Sequence, residues 1–398
     1  MNAFSLLHEE ITHACPQIHK VRLNTLMHAT QTLCLHHRAT LTGLGRTLSS
    51  KVKTRYCIKR MDRLLGNTKL HQERTAIYKT MVTQLIGVEK TPLILVDWSQ
   101  INEESGFHIL RASLPMGGRS LTLYEEVHPK NKHNSRAVHT HFLTTLKTVL
   151  PTEVTPIIVT DAGFKNPWFN TVAELGWYWV GRVRNKTFYR IGDDTSWTLC
   201  STLYPHATTT PSSVGAIILA KGNPLSCYAH LYHKSPKGRK KRTQGKRVSK
   251  RSNSITYSKR EREPWLLVSN LPLTKLSSQG IVNIYQTRMQ IEESFRDNKN
   301  QRIGLSLKET KSRNEQRLQI LLLIVALASL LLWLIGKAAT QQKLHTHYQA
   351  NTVTTKTILS LFNLGLQVLR KEPESITLHV IENIFERLAN YAIKIKLV

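Results

Sequence analysis

Three acidic residues that lie far apart in the chain could act together as metal ligands. Asp97 and Asp161 each end a short apolar run, and Glu292 lies in a third segment, Ile281–Asn300. Carboxylate oxygens are the hard ligands that Mg²⁺ and Mn²⁺ prefer. Two such ions about 3.5–4 Å apart can activate the oxygen that attacks a phosphodiester and stabilise the oxygen that leaves. The three acids therefore indicate metal-dependent chemistry on a phosphodiester.

The segment Ile281–Asn300 surrounds Glu292 with side chains that could hold a phosphate. Ser277 and Ser278 can cap a helix there, no proline interrupts it, and apolar residues recur at helical spacing. At about 100° per residue, an aromatic hydroxyl, two cations and the carboxylate fall within roughly 60° of one another. These residues are Tyr285, Arg288, Lys299 and Glu292. We predict one continuous helix that presents this face to a site; a merely solvated amphipathic face is the alternative interpretation.

The two aspartates need a sheet to bring them together. The predicted elements are strands at 92–97, 107–114 and 120–127, a helix at 136–150, a strand at 155–161, a helix at 166–175, and strands at 177–183 and 264–269. The first three strands are expected to be antiparallel neighbours. This order predicts an α/β sheet layered with helices, in which ligands bind at the carboxyl ends of strands. The alternative is that each aspartate only caps a turn after its strand.

The N-terminal region is basic and is predicted to be helical. Leu41–Leu48 and Thr54–Leu65 are consistent with two short helices joined by a turn. A helix-turn-helix of this kind would present Arg55, Lys59 and Arg63, at four-residue spacing, to DNA. A basic helix whose charges are only solvated is the alternative.

The net charge of the chain predicts a polyanionic partner. Lys and Arg number 56 against 26 Asp and Glu, which gives a formal charge of +30. Nucleic acid and an anionic membrane surface are the two polyanions that fit. The run Lys234–Arg262 holds thirteen Lys or Arg against Glu261 alone, so +18 remains on the rest of the chain. We interpret the run as a loop that contacts phosphates; solvated disorder without a role is the alternative, and a nuclear localisation signal is unsupported.

Two features bear on the compartment. The five cysteines lie far apart without a C-x-x-C pair, so neither a zinc site nor a disulfide framework is indicated, and a reducing cytoplasm fits. Ile320–Ile335 is apolar except for Ser329, but its 16 residues fall short of the about 20 that a membrane-spanning helix needs. We therefore predict a buried core helix there, with a membrane span as the alternative.

The remaining segments complete the predicted organisation. Strands are predicted at 198–203, 214–220 and 227–232, and helices from 354 to 370 and from 375 to 393. The predicted segments are 1–75, a helical DNA-end-binding region; 76–184 and 264–340, the two parts of a core; 185–263, a β-rich insertion with the basic loop 234–262; and 341–398, a helical C-terminal region.

Several motifs together resemble one known family. They are VDWS at Val96–Ser99, VTDAGF at Val159–Phe164, the spaced set Tyr285-x2-Arg288-x3-Glu292-x6-Lys299, RMDRLLGN at Arg60–Asn67, GRSLTLYE at Gly118–Glu125 and RMQIEESFRD at Arg288–Asp297. They resemble the motifs of the bacterial cut-and-paste DDE transposases of the IS-four family. The spaced set within one helix is the most specific of them.

The resemblance implies an RNase H-like catalytic core with a β-rich insertion between the second aspartate and the glutamate. It implies that Asp97, Asp161 and Glu292 are the catalytic metal ligands, with two Mg²⁺ or Mn²⁺ ions per active site. Glu293 lies about 100° away round the helix and is a poorer candidate. The DNA-end strand would be held by Tyr285, Arg288 and Lys299.

The resemblance also implies a base-flipping site. Trp265 occupies the place where relatives receive a base that has left the stack, and stacking on an aromatic is worth about 1–3 kcal/mol per base. Some relatives carry a second Trp where this chain has Met289, which could act as an apolar wedge. If Trp265 were only a core residue, its replacement would impair folding first.

The implied activity is DNA transposition. An insertion sequence would be excised by hydrolysis and transesterification through a hairpin intermediate, and its 3′ ends would be joined to target DNA. The implied partners are double-stranded DNA, as terminal inverted repeats and target, and a second copy of the chain in a homodimer. We expect the bacterial cytoplasm and nucleoid, and no membrane. The alternatives are an RNase H-fold nuclease without strand transfer, a catalytically silent DNA-binding derivative and a basic membrane-associated protein.

Overall fold

The structure is a computed structural model that describes residues 3–184, 187–192, 194–235, 263–353 and 356–397. The chain divides into two compact units, Met1–Val154 with Met289–Lys394, and Thr155–Arg288 with Ile395–Val398. Within the described ranges the fold is mixed α/β, with twelve α-helices and ten strands. Of the basic run predicted at 234–262, residues 236–262 lie outside the described residues. The division into five segments remains a prediction.

Five helices open the first unit, and local hydrogen bonds fix their ends. They are α1 (Ala3–Ala14), α2 (Lys20–His36), α3 (Leu41–Thr47), α4 (Thr54–Leu65) and α5 (Thr68–Ile86). Side-chain oxygens cap two of them, because the N–H groups of Gly43 and Leu70 donate to Thr40 Oγ1 at 2.9 Å and Asn67 Oδ1 at 2.8 Å. The bounds predicted for the α3–α4 pair agree with the structure to within one residue.

Three antiparallel strands follow in the order β3-β2-β1, as predicted. They are β1 (Leu93–Gln100), β2 (Phe107–Pro115) and β3 (Ser120–Pro129), and α6 (Arg136–Val149) comes next. Gly117 and Gly118 turn the β2–β3 hairpin with φ values of 77° and 92°. Residues with a Cβ rarely adopt this left-handed conformation, which explains the two glycines.

A long apolar helix forms the core of the first unit. The helices after residue 288 are α9 (Met289–Lys299), α10 (Glu315–Gln341), α11 (Leu361–Lys371) and α12 (Leu378–Glu386). The most apolar 18-residue window of α10 has a mean hydropathy of 2.8 and is entirely buried, against α2, α5, β3, α11 and α12. This burial agrees with the predicted core helix. Gly336 permits the close approach of α11, since a Cβ there would lie 1.8 Å from the Leu361 carbonyl oxygen.

The second unit is built on a sheet of order β4-β5-β10-β9-β8-β6-β7. Its elements are β4 (Ile157–Val159), α7 (Asn166–Glu174), β5 (Tyr178–Val183), β6 (Phe188–Ile191), β7 (Thr198–Leu199), β8 (Ser212–Leu219), β9 (Leu225–Tyr232), β10 (Trp265–Ser269) and α8 (Ser278–Thr287). β4 and β5 pair in parallel, and the later pairs are antiparallel. Along the chain, three antiparallel strands, a helix, a strand, a helix and a strand are consistent with an RNase H-like core. Strands β6–β9 lie in the stretch predicted to be β-rich.

One prediction in the β-rich stretch is wrong, and one strand was missed. The strand predicted at 198–203 ends at Leu199, and a 3₁₀ helix, Cys200–His206, follows it. Pro205 lies inside that helix and has no N–H to give to a strand ladder. Strand β6 was not predicted.

Two C-terminal helices are shorter than predicted. The helix predicted at 354–370 begins at Leu361, where the Asn363 N–H donates to the Ser360 hydroxyl at 3.2 Å; residues 354 and 355 lie outside the described ranges. The helix predicted at 375–393 is α12 followed by a 3₁₀ turn, Leu388–Tyr391. Arg387 interrupts it with φ −104° and ψ 17°, which are not helical values.

Candidate active-site residues

Asp97 lies inside a strand and not at its end. The run Leu93–Val96 is fully buried, whereas Asp97 is half-buried. β1 continues to Gln100 because its pairing with β2 continues to that residue, so the prediction that Asp97 ends the strand is wrong. The backbone N–H of Trp98 donates to Asp97 Oδ1 at 2.8 Å. One oxygen of the carboxylate is therefore oriented by the next residue in the strand.

Glu292 projects from α9, which packs against the three strands of the first unit. Ile291 and Phe295 form the buried face of this helix, while Glu292 is exposed in its first turn. Its neighbour Glu293 pairs with Arg296 and lies 3.7 Å from Arg119. The Glu293 carboxylate is therefore engaged by two arginines, and the choice of Glu292 over Glu293 as a metal ligand stays a prediction.

Lys299 connects α9 to the end of β1. Its Nζ donates to Ser99 Oγ at 2.6 Å and to the carbonyl of Gln100. Burial and the nearby Arg111 lower the pKa of Lys299 to about 8, while Asp97 opposes this shift. The predicted helical face did not reveal these contacts, because they are made to a strand about two hundred residues away.

The single helix predicted over Ile281–Asn300 is wrong. The structure has α8, which ends at Thr287, and α9, which begins at Met289. Arg288 keeps helical angles (φ −52°, ψ −34°), but its N–H donates to the carbonyl of Tyr285, three residues back, at 3.2 Å. The turn is thus locally 3₁₀-like. The boundary between the two units falls at the same point, so Tyr285 and Arg288 belong to the second unit and Met289 to the first.

Asp161 lies in the second unit, two residues after β4, so the prediction that the strand runs over 155–161 and ends in Asp161 is wrong. The Gly163 N–H donates to Asp161 Oδ1 at 2.8 Å, which is an Asx-type turn. A Cβ at Gly163 would lie 2.9 Å from that oxygen. The glycine therefore permits the turn that holds the half-buried carboxylate.

Trp265 and Tyr285 meet in the second unit. Their rings are 5.0 Å apart, edge to face at 75°. Trp265 is half-buried at the start of β10, as predicted, and Tyr285 is 5% exposed. Burial raises the pKa of the Tyr285 hydroxyl; Arg288 and Arg182 oppose this shift, and Asp161 adds to it. These sequence-predicted residues are close enough to influence one another electrostatically.

Arg182 is a buried cation beside this pair that sequence reasoning missed. Its guanidinium carbon lies 5.9 Å from the Trp265 ring centroid, and its Nη2 donates to the Glu263 carbonyl at 3.3 Å and carboxylate at 3.4 Å. Burial lowers its pKa, and Tyr285 opposes that shift. Its position within the apolar run 177–183 is the sequence feature that could have indicated a buried arginine.

Met289 and the three N-terminal cations are exposed. Met289, the first residue of α9, is 48% exposed. Arg55, Lys59 and Arg63 all project from α4. Lys59 and Arg63 line a cleft of about 590 Å³ with residues of α2, whereas Arg55 donates to the Tyr56 hydroxyl at 2.8 Å.

The donor chemistry of the three acids fits a hard divalent cation. Asp97 and Asp161 are half-buried carboxylates, each held by one backbone N–H, and Glu292 is exposed. Asp97 and Glu292 belong to the first unit and Asp161 to the second. No group of three or more His, Cys, Asp or Glu side chains in the described ranges is spaced to hold a metal ion.

Comparison with known proteins identifies the family. The family model described as the transposase DDE domain matches residues 89–331, which is more than half of the chain and includes all three acids. No curated protein matches the chain. The chain therefore belongs to the DDE transposase family, DNA-binding enzymes that act as nucleases and strand transferases and generally use divalent metals.

Proposed function

We propose that this transposase excises an insertion sequence through a DNA hairpin and joins its 3′ ends to target DNA. The family match over residues 89–331 is the observation that carries the proposal. The net charge of +30 supports a DNA substrate. Within the family we place the chain in the IS-four group, on the motifs at Val96–Ser99 and Tyr285–Lys299, and it resembles the transposase of the composite tetracycline-resistance transposon.

In this proposal Asp97, Asp161 and Glu292 hold two Mg²⁺ or Mn²⁺ ions. When bound, the ions make a water or a DNA 3′-hydroxyl reactive and stabilise the leaving oxygen. The protein's own part is to orient the carboxylates. The N–H groups of Trp98 and Gly163 do so for Asp97 and Asp161, each at 2.8 Å.

The proposed reaction has four steps at one site. Water first attacks at the element end and frees a 3′-hydroxyl, which attacks the opposite strand and closes a hairpin. Water reopens the hairpin, and the same 3′-hydroxyl then attacks target DNA. Each step breaks one P–O bond and forms another, so no protein nucleophile is needed.

We propose that the DNA strand at the transposon end is bound by Trp265, Tyr285, Arg288, Met289 and Lys299. Tyr285 and Arg288 can donate to phosphates, and the half-buried Trp265 ring can stack on a base that has left the duplex. Met289 is 48% exposed, so its apolar side chain can enter the space that the flipped base leaves in the DNA stack. In this proposal Lys299 contacts the strand from its place beside Ser99.

An assay for the joining of element ends to target DNA tests this function. The inverted repeats that border the gene supply the substrate, which is incubated with the protein, Mg²⁺ and a target plasmid. We expect hairpin-ended intermediates and products joined to the plasmid through 3′ ends, in paired complexes that contain two protein copies. Chelation of the metal with EDTA should stop every step.

Other products would identify a different protein. Cut ends without joining would indicate a nuclease, and end binding without any cut in Mg²⁺ would indicate a silent derivative. Fractionation with lipid in place of DNA binding would indicate the basic membrane-associated protein.

We propose that Lys59 and Arg63 contact DNA phosphates from the cleft between α2 and α4 that they line. Lys59 and Arg63 are exposed and have no ion pair in the described part of the chain. We expect the double change Lys59→Ala, Arg63→Ala to weaken end binding and to reduce the slope of log K against log salt by about 2, since each phosphate contact contributes about 0.9.

A matched lysine controls for charge alone. Lys69→Ala removes an exposed cation of α5 that does not line the cleft, so its slope should change by less than that of the double variant. Equal slopes for the wild type and the double variant would contradict the proposed contacts.

A further inference from the structure

Trp98, the residue after Asp97, lies among histidine side chains of the first unit. Its ring centroid is 5.0 Å from that of His133, 5.8 Å from His128 and 5.9 Å from His139. These histidines come from three places: the end of β3, the turn after it and α6. The rings thus connect the carboxyl end of β1 to separate elements.

One contact in this cluster is a directional hydrogen bond. Trp98 Nε1–H donates to His139 Nε2 at 3.1 Å. An indole N–H can only donate, so His139 Nε2 must be the acceptor and the imidazole must be neutral. Burial, with His133 and His128 nearby, lowers the pKa of His139 to about 4, which agrees with a neutral ring. His139 is 6% exposed and lies on α6, which packs against α5 and β3.

A second chain of contacts anchors the cluster from β3. The His128 ring nitrogen Nε2 lies 2.8 Å from Glu126 Oε2, and the Tyr124 hydroxyl donates to Glu126 Oε1 at 2.7 Å. Glu126 and Tyr124 are 2% and 1% exposed. The histidine that faces Trp98 from β3 is therefore held by buried groups and does not swing freely.

Trp98 acts directly on the Asp97 carboxylate. Its backbone N–H donates to Asp97 Oδ1 at 2.8 Å, and its indole is bonded to His139, so the side-chain contact restrains the residue whose backbone orients this oxygen. We propose that Trp98 and His139 are positioning residues that fix the Asp97 carboxylate for metal binding. The inference rests on the proposed role of Asp97 and concerns residues outside the three acids.

The test separates metal binding from folding in the full-length protein. Trp98→Phe keeps an aromatic ring and the backbone N–H but lacks the indole N–H. His139→Leu removes the acceptor, and His139→Gln has a side-chain carbonyl that can accept in place of Nε2. The matched control is Thr144→Leu, because Thr144 is an exposed residue of the same helix.

Two metal-binding quantities are measured for each variant: the Mn²⁺ dissociation constant by calorimetry and the Mg²⁺ concentration for half-maximal nicking. The melting temperature is measured alongside them as the check on folding. We expect Trp98→Phe and His139→Leu each to raise both by about 10-fold or more, as loss of an outer hydrogen-bond partner does at other metal sites. The double variant should be no worse than either single one. Two independent effects would instead add in the double variant. We expect His139→Gln and Thr144→Leu to stay within about 3-fold of the wild type.

The outcomes distinguish the two proposals. If wild-type protein binds Mn²⁺ but nicks no DNA end, the proposed function fails while calorimetry still reads the positioning effect. If wild-type protein nicks and the variants bind Mn²⁺ as it does, the positioning proposal is overturned. It is also overturned if His139→Gln loses as much metal affinity as His139→Leu, or if the loss follows the melting temperature and not the acceptor.

Discussion

Asp161→Ala is expected to abolish nicking of a cognate DNA end in Mg²⁺ and to leave end binding unchanged. Removing one carboxylate ligand takes away several kcal/mol of charge stabilisation from the reacting phosphodiester. A loss of about 4 kcal/mol lowers the rate about 10³-fold. Nicking is measured on end-bearing DNA, and binding by mobility shift.

Folding should survive this change, because within the described ranges the Asp161 side chain makes one hydrogen bond, the turn bond from the Gly163 N–H. That bond is worth about 1 kcal/mol. Asp194→Ala is the matched control, since Asp194 is an exposed aspartate of the same unit whose carboxylate accepts from Ser196. Nicking that persists in Asp161→Ala at the rate of the control would remove Asp161 from the site.

Glu125→Ala is expected to destabilise the first unit by about 3–5 kcal/mol, because it leaves Arg111 as an uncompensated buried charge. The Arg111 and Glu125 side chains pair at 2.7 Å and are 1% and 0% exposed. Arg74, itself 7% exposed, donates to the Glu125 carbonyl at 3.1 Å. The free energy of unfolding, measured with urea, should show the loss.

Two comparisons test the electrostatic cause. Glu73→Ala breaks a pair with Arg22 whose side chains are 14% and 18% exposed, and should cost less. The double change Arg111→Met, Glu125→Leu replaces both charges by apolar groups and should recover part of the stability. A cost for Glu125→Ala no greater than that for Glu73→Ala would contradict the buried-charge argument.

The loss of Glu125 should also destabilise α9. The Arg111 guanidinium carbon lies 4.4 Å from the Phe295 ring centroid, and Phe295 forms the buried face of the helix that carries Glu292. Arg111 therefore packs between the strands and that helix. We expect weaker protection of the α9 amides from hydrogen exchange in Glu125→Ala.

Local patterns predicted most of the elements that carry the candidate residues. The three antiparallel strands, α3, α4, α6 and α7 follow from periodicity and caps that lie within each segment. The break at Arg288 could not be predicted, because neither proline nor glycine marks it and its backbone angles stay helical. The two-residue strand β7 is too short to leave a periodic pattern.

The candidate site was predicted as residue types and not as contacts. The acids, Tyr285, Arg288 and Trp265 carry their signals in sequence spacing. The bond from Trp98 to His139 and the contact of Lys299 with Ser99 join residues that are distant in the chain, so no window of sequence contains both partners. Arg182 was missed because an apolar strand pattern predicts burial and does not show which charged residue is buried with it.

The burial of α10 has a consequence for the order in which the protein is made. The surfaces that cover it include α2, α5 and β3, which precede it in the chain by about two hundred residues or more. At about 5–20 residues per second, a ribosome completes these partners roughly ten seconds or more before α10 emerges. The apolar faces of the N-terminal helices therefore stay uncovered by α10 during this time. The core of the first unit can form only after the ribosome has synthesised α10, Glu315–Gln341.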